Sequence, residues 1–476
     1  MFNWSFDSFS FLFFLIPVFF IYRGLFFLPQ GNRLQVLWIA LSGILYYAVL
    51  QWQYLFLLGG SGLLAFWGAR RMNTIQLEKK RWWYAAMGVS LHVLVLLLFK
   101  YGVALIDFFM GAMGSLGQPN TMPNWVLPLG ISFFTFQLIA YWVDVYQENI
   151  EPETDFGAFM GYLFFFPKIL AGPITRAQHF LPALKASKPF DAALASEGLT
   201  QWAWGLFKKR IVSDTAALYV HRVFMPDSEA LGGDYWLACF IFPFQLYADF
   251  SGYSDMAIGI GKLFGFRLPP NFNYPFFARN ISDYWQRWHM SLTGWMMDYV
   301  YTPCAFAWRR KGKWGVAMAI TLTFLLVGIW HGPKWVYVVF GLVYSVYFLP
   351  RIIFPPKEGK SLWPVWLARL GLYFLVSITS VIIQSETLAQ VGRVYNRMLH
   401  SFEHTISLQE LSNGWFLFPA AAMWMLDYFG LKHNAEFPLH AMVIRSSLLR
   451  RLIVLIIVVL LFYVQNEQLS FLYFQF

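Results

Sequence analysis

Long runs without charged residues alternate along the chain with short polar stretches. Asp, Glu, Lys and Arg are absent from residues 34–69, 108–143, 314–333 and 335–350. Because one transmembrane helix needs roughly 20 apolar residues, the first run is long enough for two helices, and Gln51-Trp52-Gln53 offers a break between them. The pattern predicts about a dozen spans, near residues 9–22, 35–50, 52–68, 83–101, 125–143, 203–223, 235–263, 315–331, 335–350, 366–384, 414–430 and 452–474.

The overall composition points to the same class of protein. Hydrophobic residues make up 58% of the 476 residues and charged residues only 13%, whereas soluble domains carry about 25% charged residues. Aromatic residues account for 21%, and Trp and Tyr favour the interface between bilayer and water. A large soluble helical protein would not need so many uncharged runs. The expected fold class is therefore an all-α integral membrane protein.

The formal net charge of +10 is concentrated in short basic clusters. Basic clusters in short loops set the orientation of membrane proteins, so we assign these clusters to the cytoplasm and expect no nucleic-acid binding. The clusters lie at 70–71 with 79–81, 208–210, 309–313 and 445–451. The apolar run Phe9–Ile21 is preceded by no Lys or Arg and followed by Arg23, which favours a retained first span with its N-terminus outside.

The chain shows no internal repeat and no stretch that reads as a soluble domain. We therefore expect one membrane domain over residues 1–476, in which the polar stretches 177–199 and 386–412 are linkers. Residues 158–175 are apolar but interrupted by Pro167 and Lys168. A broken backbone at membrane depth requires surrounding protein or a water-filled cavity, so this segment is predicted to re-enter rather than cross.

Residues 270–303 mix aromatic and charged side chains. Trp285 and Trp288 alternate there with Arg287 and His289. Such amphipathic segments lie in the membrane interface rather than across it. The segment is interpreted either as a surface anchor or as the floor of a reaction cavity.

Two histidines are candidates for chemistry. His331 ends an uncharged run, and ionisable residues within spans are costly and commonly functional. Imidazole accepts a proton near neutral pH, which suits a general base. The alternative is a core histidine that bonds a carbonyl group. His289 lies in the interfacial segment, where a histidine is more often an ordinary surface residue.

Two acids, Asp249 and Asp255, interrupt an otherwise apolar helix. Intramembrane carboxylates normally face a cavity or a partner, and they would also suit a proton path in a transporter. Cys239 and Cys304 lie in apolar surroundings without a CxxC motif, so we expect two free thiols. The chain has no metal-ligand spacing, Gly-x-Ser-x-Gly elbow or phosphate-binding glycine loop.

Seven short motifs occur in a characteristic order. They are Leu127–Gln137, Phe166–Ile174, Tyr247–Asp255, Asn271–Phe276, Asp283–Leu292, Gly328–Gly332 and the ending Phe471–Phe476. As an ordered set they resemble the membrane-bound O-acyltransferase family, and within it the bacterial branch that O-acetylates alginate. The resemblance covers roughly residues 125–346 and the C-terminus.

This resemblance implies a helical ring around a funnel and a tunnel, with about 11–13 helices plus re-entrant and interfacial helices. It implies that His331 is catalytic, that His289 is a second catalytic-site residue, and that residues 270–303 line the cavity. The implied substrate-binding or tunnel-lining residues are Trp330, Trp285, Trp288, Asp298, Tyr247, Asp249, Asp255 and Asn271.

The resemblance also implies an enzyme of the bacterial inner membrane, surrounded by lipids. Acetyl-CoA would be the cytoplasmic donor, an extracytoplasmic polysaccharide the acceptor, and a separate extracytoplasmic protein the partner that completes the transfer. No permanently bound cofactor and no metal are expected. D-alanyl transfer from a carrier protein to teichoic acid is the alternative within the class, and a multi-span transporter or flippase is the alternative outside it.

Several positions depart from the family pattern and leave the donor, acceptor and partner open. They are Gln286, Met297, Cys304-Ala305-Phe306, Pro333-Lys334 and Tyr344-Ser345.

Overall fold

The computed structural model describes residues 4–112, 127–186, 188–225, 228–354, 364–403 and 417–443, together with Leu448, Leu452, Leu455 and Val459. All regular elements within these ranges are helical, which confirms the all-α prediction. The chain divides into two compact units. The first unit comprises Met1–Gly198 and Ile260–Pro269, and the second comprises Leu199–Gly259 and Pro270–Phe476. The expectation of a single membrane domain stays a prediction.

The first unit contains long helices followed by a broken segment. Its helices are α1 Phe9–Leu25, α2 Gly31–Gln51, α3 Leu55–Asn73, α4 Glu78–Ala112, α5 Ile131–Tyr146, α6 Phe156–Leu163, α7 Phe166–Ile169 and α8 Ala177–Lys185. A short 3₁₀ turn, Trp52–Tyr54, separates α2 from α3. It lies at the break expected from Gln51-Trp52-Gln53.

The broken segment between α6 and α8 is enclosed by protein. Lys168 in α7 is fully buried, and its ammonium group donates hydrogen bonds to Gln137 Oε1 at 2.5 Å and Thr175 Oγ1 at 2.7 Å. The same ammonium lies 3.9 Å from the centre of the Tyr162 ring. Polar and aromatic partners thus surround the buried amine of this segment. Its re-entrant path in the membrane stays a prediction.

The rest of the chain forms helices of very different lengths. They are α9 Ala192–Leu206, α10 Asp214–Phe224, α11 Gly232–Leu263, α12 Ile281–Arg287, α13 Met290–Met296, α14 Thr302–Ala307, α15 Lys313–His331, α16 Trp335–Ile353, α17 Val365–Gln384, α18 Leu388–His400, α19 Leu417–Lys432 and α20 Pro438–Val443. Two π-helical segments, Phe207–Ser213 and Met297–Tyr301, join α9 to α10 and α13 to α14.

Helices α15 and α16 pack with their backbones in close contact. A Cβ atom on Gly328 would lie 2.2 Å from the carbonyl oxygen of Tyr337, and one on Gly341 would lie 2.4 Å from that of Phe324. Small residues permit this approach between helices. The contact fixes the C-terminal end of α15, where His331 lies.

Five segments of the described ranges are long and apolar enough to cross a membrane. They are Gly31–Asn73, Glu78–Ile106, Lys313–His331, Trp335–Ile353 and Val365–Gln384, and α1 and α5 are shorter apolar helices. The predicted span 452–474 and the C-terminal motif Phe471–Phe476 lie outside the described residues, apart from isolated positions.

Two expectations about polar stretches are wrong. The supposed linkers 177–199 and 386–412 contain α8, the start of α9 and all of α18. In α18 the Thr387 hydroxyl caps the helix by accepting from Gln390 N, and Val391, Val394 and Met398 form a buried face. These helices are too polar to resemble spans, because only one face of each is buried.

Candidate active site

The two candidate histidines border one cavity of the second unit. This cavity is open and has about 710 Å³ of empty space, counting the part that opens to the surroundings. Its lining is mostly aromatic and aliphatic, and consists of Phe242, Pro243, Leu246, Phe250, Tyr284, Trp285, Trp288, His289, Leu292, Val327, Trp330, His331, Phe340, Tyr344, Val376, Ser380 and Ile383.

His331 is the last residue of α15 and is half-buried. Its ring centre lies 4.9 Å from that of Trp330, 5.8 Å from that of Tyr337 and 6.0 Å from that of Phe340. The C-terminal end of a helix carries partial negative charge. This end of α15 would therefore stabilise the positive charge that His331 gains on accepting a proton.

His289 occupies a strained junction between α12 and α13. Its backbone is left-handed, with φ 43° and ψ 54°, a conformation that costs about 1–3 kcal/mol in a residue other than glycine. The next amide, Met290 N, donates to the carbonyl oxygen of Asn271 at 2.8 Å, and Thr293 Oγ1 donates to that of Trp288 at 3.0 Å. These bonds hold the junction so that the imidazole enters the cavity.

Burial keeps the His289 ring neutral. The side chain is 2% exposed, and its ring centre lies 4.6 Å from that of Phe250 in an edge-on arrangement. The pKa of His289 is lowered well below its ordinary value, first by burial and second by the neighbouring His331. A neutral imidazole can accept or donate a hydrogen bond without adding charge to the cavity.

Trp330 connects the two histidines through ring contacts. Its ring centre lies 6.3 Å from that of His289 and 4.9 Å from that of His331. The structure thus brings together residues that are 42 positions apart in the sequence.

Trp285 and Trp288 form further walls of this cavity. The Trp285 ring centre lies 5.0 Å from that of Tyr344 and 5.1 Å from that of Phe324, and Trp288 stacks on Tyr284 at 5.5 Å. Tyr344 is one of the positions where the sequence departs from the family pattern. An apolar wall of this kind excludes water and strengthens the electrostatic interactions inside.

Three other candidates border a second, polar cavity. Tyr247, Asp255 and Asn271 line a space of about 350 Å³ within the same unit. Asn271 is buried, donating through Nδ2 to Ser254 Oγ at 2.9 Å and accepting at Oδ1 from Ser291 at 2.6 Å. Asn271 therefore ties α11 to the start of α13, next to the His289 junction.

Asp249 and Asp298 border neither of these two cavities. Asp249 is buried and lies 2.7 Å from the ammonium of Lys209, which also contacts Asp214 at 2.9 Å. Asp298 is exposed on the π-helical turn Met297–Tyr301. Asp249 thus forms an ion pair, and the substrate-binding or tunnel-lining role implied for Asp249 and Asp298 stays a prediction.

The prediction that Lys208–Arg210 form a loop is wrong. These residues lie in the π-helical segment Phe207–Ser213, and both lysines are buried. Lys208 lies 2.5 Å from Asp255 and donates to Ser251 Oγ at 2.8 Å. Asp249 and Asp255 were the signal for these partners in the sequence, because a buried carboxylate requires a counter-charge.

The sequence alone did not identify Asp427 in α19. This residue is buried, and the Tyr247 hydroxyl donates to its Oδ2 at 2.9 Å. Asp427 lies 180 positions after Tyr247, so no local sequence pattern indicates their hydrogen bond. Among the described residues no group of three or more His, Cys, Asp or Glu side chains could hold a metal ion.

The chain is similar to proteins of one known family. The model of MBOAT, the membrane-bound O-acyltransferase family, matches residues 150–355. The chain is 32% identical over 398 residues to the protein named Probable alginate O-acetylase AlgI from Pseudomonas putida, covering 83% of this chain and 80% of that protein.

Two further relatives carry other names. A Peptidoglycan O-acetyltransferase from Helicobacter pylori is 32% identical over 337 residues, covering 65% of this chain and 63% of the relative. A Teichoic acid D-alanyltransferase from Bacillus subtilis is 31% identical over 257 residues, covering 52% of this chain and 64% of the relative. The chain therefore belongs to the membrane-bound O-acyltransferase family and is a multi-span membrane enzyme that transfers acyl groups to oxygen.

Proposed function

We propose that the enzyme transfers an acetyl group from acetyl-CoA to hydroxyl groups of an extracytoplasmic polysaccharide such as alginate, with His331 as general base. The observation that carries this proposal is the shared cavity, in which His331 and the neutral His289 face an apolar aromatic lining. Relatives named as an alginate O-acetylase and a peptidoglycan O-acetyltransferase support an acetyl donor and a carbohydrate acceptor.

The proposed reaction requires one proton acceptor and one electrophile. His331 removes the proton of the acceptor hydroxyl while its oxygen attacks the thioester carbonyl carbon. The new C–O bond forms, the C–S bond breaks, and the departing sulfur takes the proton from His331. The products are the O-acetyl ester and free CoA thiol. Holding both reactants in contact removes much of the entropic barrier.

His289 and the tryptophans have supporting roles in this proposal. A neutral His289 donates a hydrogen bond to the thioester oxygen as negative charge develops there, which lowers the barrier more in an apolar cavity than in water. Trp285, Trp288 and Trp330 exclude water that would hydrolyse the thioester.

In this proposal the two substrates lie on opposite sides of the membrane, which sets the direction of acyl transfer. CoA is highly charged and stays in the cytoplasm, whereas the polysaccharide lies outside the bacterial inner membrane. We propose that the thioester enters from the cytoplasmic side and that a separate extracytoplasmic protein presents the long polysaccharide to the enzyme. The two polar stretches 177–199 and 386–412 are too short to form a carbohydrate-binding domain of their own.

Reconstitution with radiolabelled acetyl-CoA tests the proposal. The wild-type protein in liposomes, supplied with an alginate oligosaccharide outside, should give labelled O-acetyl ester. His331→Ala should lower this rate by about 10²–10⁴-fold, the usual contribution of a general base. His400→Ala, at the exposed end of α18, is the matched control and should keep full activity.

Two results would contradict parts of the proposal. Substantial activity in a correctly assembled His331→Ala protein would remove that residue from catalysis. Transfer that occurs only from an acyl-loaded carrier protein, and not from acetyl-CoA, would favour D-alanyl-type chemistry like that named for the Bacillus subtilis relative.

A further inference from the structure

The second cavity differs in chemistry from the cavity of the two histidines. It combines aromatic rings with hydroxyl, amide and charged groups. Its lining includes Trp204, Lys208, Tyr247, Asp255, Phe272 and Asp427. The acyl-transfer chemistry proposed above uses none of these side chains.

A lysine of the protein already occupies the place where a bound cation would pair with Asp255 and contact the aromatic rings. The Lys208 ammonium pairs with Asp255 at 2.5 Å. The same ammonium lies 5.9 Å from the centre of the Trp204 ring and 5.6 Å from that of Tyr247. An organic cation would have to displace or repel this lysine, so the aromatic rings do not form a free ammonium cage.

Two buried polar atoms, each on a side chain of this lining, lack hydrogen-bond partners in the part of the chain that the structure describes. They are Trp204 Nε1, a donor, and Asp427 Oδ1, an acceptor. Their side chains are 1% and 4% exposed. The other oxygen of Asp427 accepts from Tyr247. A buried polar group without a partner is costly, and each such group calls for an explanation.

A hydroxyl-bearing molecule can satisfy both atoms, because a hydroxyl group donates, as Asp427 Oδ1 requires, and accepts, as Trp204 Nε1 requires. An ammonium group would satisfy only Asp427. A phosphate would satisfy only Trp204 and would be repelled by Asp427. We infer that this cavity binds a neutral hydroxyl-bearing molecule, such as a small polyol or one sugar unit.

The ligand site adjoins the acyl-transfer cavity but is distinct from it. Trp288 lines the cavity of the two histidines, and its ring centre lies 5.1 Å from that of Phe272 and 6.3 Å from that of Tyr247. Phe272 and Tyr247 line the polar cavity. Three aromatic side chains thus form a common wall, and a hydroxyl-bearing ligand would contact one side of it.

Saturation-transfer NMR on the purified full-length protein in lipid nanodiscs tests this inference. Nanodiscs avoid glycoside detergents, whose sugar headgroups are themselves hydroxyl-bearing ligands. Glycerol and methyl β-D-glucopyranoside are the neutral probes, with tetramethylammonium and inorganic phosphate as charged probes. We expect saturable binding of at least one neutral probe and of neither charged probe.

Substitutions then assign the binding to the cavity. Asp427→Leu should lower the affinity for the neutral probe by at least about tenfold, and Trp204→Phe should lower it by about threefold or more. Each substitution removes one buried hydrogen bond to the probe. Asp427→Asn keeps an acceptor and should restore part of the affinity lost in the leucine variant. Trp202→Phe is the matched control, since Trp202 lies on the same helix but outside the cavity lining, and should bind as wild type.

Three outcomes would overturn the inference. They are binding of a charged probe alone, neutral-probe binding that survives both Asp427→Leu and Trp204→Phe, and no saturable binding of any neutral probe. The last outcome would mean that only ordered water satisfies the two atoms. Because binding is measured without turnover, these outcomes are independent of whether acetyl transfer from acetyl-CoA is observed.

Discussion

The ammonium group of Lys208 lies 2.5 Å from a carboxylate oxygen of Asp255, in an ion pair whose side chains are 3% and 13% exposed. The lysine comes from the π-helical segment Phe207–Ser213 and the acid from α11. Breaking a buried pair leaves one uncompensated charge, which typically costs about 3–5 kcal/mol. The pair is therefore a strong determinant of how these two segments pack.

Lys208→Met should lower the thermal unfolding midpoint of the purified protein by several degrees. The double variant Lys208→Met with Asp255→Leu should recover most of this loss, because it removes both charges. Fluorescence-monitored unfolding in one detergent gives the ranking of the variants.

Lys334→Met provides the control for this comparison. Lys334 also pairs with a carboxylate, that of Glu386, but their side chains are 39% and 65% exposed. Exposed pairs contribute about 0–1 kcal/mol, so this variant should unfold near the wild-type midpoint. An equal loss in both single variants would mean that burial of the Lys208 pair has no special effect.

The sequence predicted those features that depend on local pattern. The break at Gln51-Trp52-Gln53 lies where a short 3₁₀ turn separates α2 from α3, because charge-free runs and their interruptions are local properties. The helical class and the family followed from local motifs in the same way.

Features that depend on distant pairing were missed. Lys208 was assigned to a loop because it belongs to a cluster of three basic residues. Its ion-pair partner, Asp255, lies on another helix, and composition does not reveal that Phe207–Ser213 forms a π-helix. Asp427 gave no signal because its contact with Tyr247 forms only in the folded chain. The catalytic roles of His331 and His289 remain predictions, although both residues border one cavity.

His289 should make the folded protein less stable at acidic pH than a variant without this histidine. Its pKa in the folded state is well below the ordinary value of 6.5, so the unfolded chain binds a proton there that the folded chain does not. The free energy of unfolding therefore rises with pH below about pH 6.5. It decreases as the pH falls from about 6.5 toward the lower pKa of the folded state. His289→Gln should show a smaller drop in unfolding midpoint than wild type between about pH 7.5 and 5.5.

The exposed His433 offers a matched substitution for this test. His433→Gln should keep the acid sensitivity of the wild type. If His289→Gln loses as much stability on acidification as wild type does, the buried neutral state of His289 is not the cause.

The close contact between α15 and α16 should be essential for placing His331. Gly341→Val would put side-chain atoms where even a Cβ lies 2.4 Å from the carbonyl oxygen of Phe324. Helix α15 would have to move, so acyl transfer should fall by at least about tenfold, as expected when a catalytic group shifts by about 1 Å. Gly371→Val, on α17 with no atom near the corresponding Cβ position, should retain activity.

The basic turn before α15 is expected to face the cytoplasm. Arg309, Arg310 and Lys311 are exposed, and basic residues next to a span favour the cytoplasm. In a variant in which Cys239 and Cys304 are replaced by serine, a cysteine introduced by Lys311→Cys should react with a membrane-impermeant maleimide only after the cells are opened. A cysteine introduced by Asn434→Cys in the exposed turn after α19 shows that the reagent and the cysteine-free background work once the cells are open. Labelling of position 311 in intact cells would place this turn outside and reverse the proposed direction of acyl transfer.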